Sequence, residues 1–104
     1  MSNITIPVTP ELEPFEDDLR FFVETMVRKL HCNRHKGFCE GMSMNDLISG
    51  LEVELQELKV ARERESQFAV VLEASDVANF AFLVAVKAMQ MTKAEFKENQ
   101  NGSS

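Results

Sequence analysis

Residues 51–76 read LEVELQELKVARERESQFAVVLEASD, and the arrangement of this stretch decides the fold. It holds two acidic pairs at helical spacing, Glu54 with Glu57 and Glu73 with Asp76. A separation of three puts both carboxylates of a pair on one side of a helix, from neighbouring turns. The polar segment between the pairs, residues 59–67, suits a turn joining two antiparallel helices. Four carboxylates delivered by two facing helices would form a cage of hard oxygen ligands, the donor set that holds Mg²⁺ or Mn²⁺.

Working outward, Ser43 is a good N-cap, with Asp46 in the capping-box position, for a helix over residues 44–62. At about 100° per residue, Leu47, Leu51 and Leu58 mark the centre of its apolar face. Glu54 falls in the middle of that face and Glu57 at its edge. A carboxylate in a buried stripe is costly unless it is paired or bound to metal. The next helix, residues 67–91, is apolar nearly all the way round, from Val70 and Val71 through Phe80 and Phe82 to Val86. Such a helix is buried on more than one side, which in so short a chain calls for another protomer. Its charged residues Glu73, Asp76 and Lys87 share one arc.

Upstream, a first helix is expected from about Pro14 or Phe15, with Glu16, Asp17 and Asp18 in its opening turn. Phe15, Leu19, Phe22, Met26 and Leu30 form a continuous stripe. Arg28, Lys29, Arg34 and Lys36 gather toward its end, where they suit the helix dipole, and Gly37 should stop it. Residues 1–10, with Pro7 and Pro10, read as an extended arm. Thr92 with Glu95 would cap one further short turn, and residues 99–104 read as a disordered polar tail. The expected architecture is therefore all-α: an arm over 1–10, one domain of three main antiparallel helices over 11–91, and a short turn and tail over 92–104. Oligomerisation would complete it into helical bundles.

Composition bounds the function. The chain has 104 residues, 17 acidic against 11 basic, and a net charge of −6, so nucleic-acid binding through a basic face is disfavoured. Two cysteines make no disulfide scaffold, and residues 1–10 lack the features of a signal peptide. The longest nearly uncharged run, residues 77–86, is too short to span a bilayer. The expectation is a cytoplasmic protein with neither membrane nor nucleic-acid partners.

The pattern Glu54-x-x-Glu57, fifteen intervening residues, then Glu73-x-x-Asp76 resembles the E-x-x-E…E-x-x-D signature of the MazG-like nucleoside triphosphate pyrophosphohydrolases. LEVELQEL before the gap and EASDVANFAFLV after it agree, and the upstream NRHKGFCEGMS resembles small phage-type members. The resemblance covers residues 15–91. It implies an α-helical protomer that assembles as a homodimer or homotetramer and hydrolyses (d)NTPs to the monophosphate and pyrophosphate. By motif match it implies Mg²⁺, with Mn²⁺ as a substitute, on Glu54, Glu57, Glu73 and Asp76, with Glu54 and Glu57 in catalysis. Candidate substrate contacts are Asn33, Arg34, Lys36, Phe38, Asn79, Phe80 and Lys87. Two departures stand out. Val53 occupies the place where the family often has a doubled acid, and no Trp is available to stack on a base, Phe38 being the nearest substitute.

Plainer readings stand beside these. The acids could form a solvated face paired with Lys59 and Arg62, although Glu54 sits among leucines. Asn79 and Phe80 suit core packing as well as base contact, and Lys87 could serve phosphate or pair with Asp76. His31-Cys32-x-x-His35-x-x-x-Cys39 has plausible zinc-ligand spacing, but it straddles a helix end. Nucleophilic catalysis by either Cys lacks a supporting His–Asp arrangement. A non-catalytic helical oligomer that binds nucleotide or a protein partner is the alternative in a different class, and Val53 favours it.

Overall fold

The computed structural model describes residues 7–32, 40–64 and 66–102, with side chains up to residue 95. The fold is all-α: a one-turn 3₁₀ helix at Glu13–Phe15 leads into α1 (Glu16–Cys32), followed by α2 (Met44–Arg64) and α3 (Gln67–Gly102). No strand occurs among the described residues.

Local chemistry sets the boundaries. The Ser43 hydroxyl accepts from the Asp46 backbone N–H at 3.1 Å, and Asp46 Oδ2 accepts from the Ser43 N–H at 3.1 Å. That reciprocal box satisfies two of the orphan donors at the start of α2. Ser66 caps α3 in the same way, its hydroxyl accepting from Ala69 N–H at 3.2 Å. At the far end, α3 runs on past Met91 to Gly102. Thr92 does not open a new turn, because its hydroxyl donates to the Ala88 carbonyl one turn back, at 3.0 Å. The expected stop of α1 at Gly37 lies outside the described residues.

Helix α3 is the element against which both others pack. On α2 the inward stripe runs Leu47, Leu51, Glu54, Leu58, Ala61 in steps of four and three, with Leu47 and Ala61 fully buried. Gly50 lets the Phe80 ring lie against the backbone: a Cβ at that position would stand 2.8 Å from Cζ of the ring. On α1 the described contacts with α3 come from the second half of the stripe, whereas Phe15 and Leu19 stay exposed.

The core is small for the chain. Its radius of gyration is 17.1 Å, against about 13 Å for a compact 100-residue domain. It exposes 8454 Å² of surface at 11.8 kDa, where a folded monomer of that mass exposes roughly 5,900 Å². Phe68, Phe82, Met89 and Met91 of α3 all count among the exposed large apolar side chains. By length and composition alone, Gln67–Glu95 is apolar enough to cross a membrane, with a window of mean hydropathy 1.8 of which 11% is buried. Counting only the uncharged run at 77–86 missed this window, because it tolerates two charged residues.

Candidate metal centre

The site grows out of the packing of α2 on α3. Glu54 takes the middle place on a stripe whose neighbours are leucines, so its carboxylate is carried toward α3 rather than into water. There it meets Glu73, while Glu57 comes in from the edge of the same α2 face. Carboxylate oxygens of Glu54, Glu57 and Glu73 all lie within 4.8 Å of one another. Glu54 and Glu73 are half-buried and Glu57 is exposed. Three oxygen donors at that separation could hold a metal ion.

Glu54 carries the electrostatic mark of the arrangement. Its Oε2 is buried and has no hydrogen-bond partner. Its pKa is pushed up from 4.5 to about 7, first by loss of hydration, then by a hydrogen bond to Glu57, then by the charges of Glu57, Asp76 and Glu73. All the named neighbours are acids. Near neutral pH the side chain is thus held partly protonated, donating to Glu57, and a cation at the same place would favour the ionised form instead.

Beside the acids an open cleft of ≈490 Å³ is lined by Val53, Gln56, Glu57, Val60 and Glu73. Two of the three acids thus line a space large enough for a small ligand. Val53, at the position of the missing doubled acid, is 56% exposed in that lining.

Asp76 belongs to a different contact. One turn beyond Glu73, its Oδ2 accepts from Lys29 Nζ at 2.8 Å, and the same ammonium donates to the Leu72 carbonyl at 3.2 Å. The pair is partly buried, with side-chain exposures of 28% and 24%. Sequence reasoning grouped Lys29 with the basic residues serving the helix dipole and left it out of the site. The signal was there: Phe22, Met26 and Lys29 follow in steps of four and three. Lys29 therefore lies on the inward side of α1 beside Leu30, both half-buried.

The remaining candidates separate. Asn33, Arg34, Lys36 and Phe38 lie outside the described residues, as do His35 and Cys39 of the possible zinc set; Cys32 is exposed at the end of α1. Asn79 is 7% exposed, and its Nδ2 donates to the Met26 carbonyl at 3.1 Å, tying α3 to α1. Phe80 packs on Gly50. Lys87 is half-buried on α3, and eleven residues separate it from Asp76, roughly 16 Å along the helix axis.

No family model, no curated protein and no solved structure matches the chain.

Proposed function

We propose that the chain is a Mg²⁺-dependent hydrolase of (d)NTPs that releases the monophosphate and pyrophosphate, working in the cytoplasm as a homo-oligomer. The observation that carries the reading is Glu54: a carboxylate set on a core stripe, one oxygen buried without a partner, with the carboxylates of Glu57 and Glu73 beside it. Such a placement is costly in a protein that only needs to fold. The cost is offset when a divalent ion binds, so the donor set fits Mg²⁺ or Mn²⁺.

Glu54, Glu57 and Glu73 would hold the ion, which supplies neutralisation of phosphate charge when bound. Glu57, exposed and facing the cleft, is placed to orient a water or accept its proton. Val53 and Val60 give the cleft an apolar wall for the non-phosphate part of a ligand. Oligomerisation rests on the apolar side chains that α3 leaves exposed, Phe68, Phe82, Met89 and Met91. A window of α3 as apolar as a membrane span and only 11% buried is covered, in this reading, by a second copy. The carboxylates of Glu73 and Asp76 on that helix disfavour lipid as the covering.

The test is pyrophosphate release from a panel of dNTPs and NTPs with Mg²⁺ or Mn²⁺. Activity should vanish with Glu54→Gln and with Glu73→Gln while the helical circular dichroism is unchanged. No release from any substrate refutes hydrolysis. A second reading, a nucleotide-binding oligomer without turnover, is favoured by Val53 in place of an acid. Calorimetric binding of nucleotide with no product formed distinguishes it.

A further inference from the structure

The two helices that pack on α3 are held there by different kinds of contact. On α2, Leu47 and Ala61 are fully buried and the Phe80 ring of α3 lies against Gly50. Helix α1 buries no residue completely: Phe22, Met26 and Leu30 are half-buried, while Phe15, Leu19 and Val27 are exposed. Polar contacts take a large share of its seam. Lys29 Nζ donates to Asp76 Oδ2 at 2.8 Å and to the Leu72 carbonyl at 3.2 Å. Asn79 Nδ2 donates to the Met26 carbonyl at 3.1 Å.

That seam is imperfect at two places. Asn79 is 7% exposed, yet its Oδ1 has no hydrogen-bond partner, a penalty that hydration removes once α1 is lifted. Farther along α3, Phe82, Leu83 and Val86 line an open groove of ≈400 Å³ with Val27 and Leu30 of α1. Apolar side chains that face such a space forfeit part of their dispersion contact. The acid cluster, by contrast, owes nothing to α1. Glu54 and Glu57 lie on α2, Glu73 lies on α3, and the cleft beside them is lined from those two helices.

We infer that α1 is a latched strap: it lifts from α3 as a unit, released where Lys29 meets Asp76, while the α2–α3 hairpin and its three acids stay assembled. The inference goes beyond the hydrolase reading and does not rest on it. An element with few buried apolar contacts opens at lower free energy than the domain as a whole. The latch suits such an opening, because an ion pair with side-chain exposures of 28% and 24% gains attraction on closing and recovers hydration on parting. The strap thus sets whether the Leu72–Asn79 side of α3 is covered or open, with no change at the acids.

The test is hydrogen–deuterium exchange of the full chain near neutral pH, read by mass spectrometry of peptic fragments. Relative to intrinsic rates, amides of residues 22–30 in α1 should exchange about tenfold to a hundredfold faster than those of residues 47–61 in α2 and 70–86 in α3. Lys29→Met keeps the apolar stem but removes the ammonium and leaves Asp76 without it. It should speed α1 exchange by about a further tenfold or more, with α2 and α3 unchanged within about threefold. Asp76→Asn should do the same from the other side of the pair, which guards against a defect peculiar to one substitution. Exchange of all three helices at one rate in the parent shows a single cooperative unit and overturns the strap. So does a variant that accelerates α2 and α3 as much as α1, or one that unfolds outright, because the pair then holds the whole fold. Unchanged α1 exchange in both variants overturns the latch.

Discussion

Replacing Glu54 by Gln should make the metal-free protein more stable at pH 8 and abolish its stabilisation by metal. The native carboxyl holds its proton up to about pH 7 instead of 4.5. Between those values the native state binds more protons than the unfolded state, so stability falls as pH rises and levels off above pH 7. At 1.36 kcal/mol per pH unit the full displacement amounts to roughly 3 kcal/mol. Glu54 is half-buried, not sealed, and solvent screening brings the expected loss down to about 1–2 kcal/mol. Gln keeps the shape and a hydrogen bond toward Glu57 without titrating. The variant should therefore match the parent near pH 4.5 and exceed it at pH 8, by roughly 5–15 °C in midpoint for a domain of this size.

Metal should reverse the order. At a hundred times its dissociation constant an ion adds about 2.7 kcal/mol to the parent, and it should add little to the variant. Thermal unfolding followed by circular dichroism at pH 5 and pH 8, in chelator and in Mg²⁺ or Mn²⁺, reads all four corners. A variant less stable than the parent at pH 8 in chelator would show that Glu54 supports the fold. An equal gain from metal in both proteins would remove Glu54 from the site.

Two further outcomes follow from the packing. Gly50→Ala should destabilise by about 1–2 kcal/mol net in urea unfolding, because the clash of the new Cβ with the Phe80 ring outweighs the helix-propensity gain of ~1 kcal/mol. A neutral or stabilising result would mean that the ring moves freely. Light scattering on the purified chain should give a multiple of 11.8 kDa, reduced toward the monomer by Phe82→Glu on the exposed side of α3. A single monomeric species at all concentrations refutes the second copy.

Much of this arrangement was legible because helical chemistry is local. The Ser43–Asp46 box and the Leu47–Leu51–Leu58 stripe depend on residues three or four apart, and both appear as read. The place of Glu54 on that stripe, and hence its meeting with Glu73, needed only the period of the helix and a reversal of chain direction. What escaped depends on how helices cross. No spacing within α1 says that its stripe meets α3 at Met26 and Lys29 and leaves Phe15 and Leu19 exposed. Nor does the motif say that Asp76 turns toward α1 while Glu73, three residues away, turns toward α2. The length of α3 was misjudged because Thr92 resembles a cap, yet a hydroxyl can equally bond back into its own helix.

The distribution of charge inside the packed faces argues that the acids are there for something other than folding. Each flanking helix carries a charged residue on its inward side, Lys29 beside Leu30 on α1 and Glu54 within the stripe of α2. A bundle selected for stability alone would set these opposite charges against each other or replace both with apolar groups, which is often the more stable choice. Here Lys29 is matched by Asp76, a complete pair, while Glu54 takes up a proton, first because burial strips its hydration and then because of the hydrogen bond to Glu57 and the charges of Glu57, Asp76 and Glu73. The same α3 turn thus supports a satisfied cation on one side and an unsatisfied anion on the other. An arrangement with that asymmetry gains most from a ligand that brings positive charge to Glu54, and a divalent ion does so.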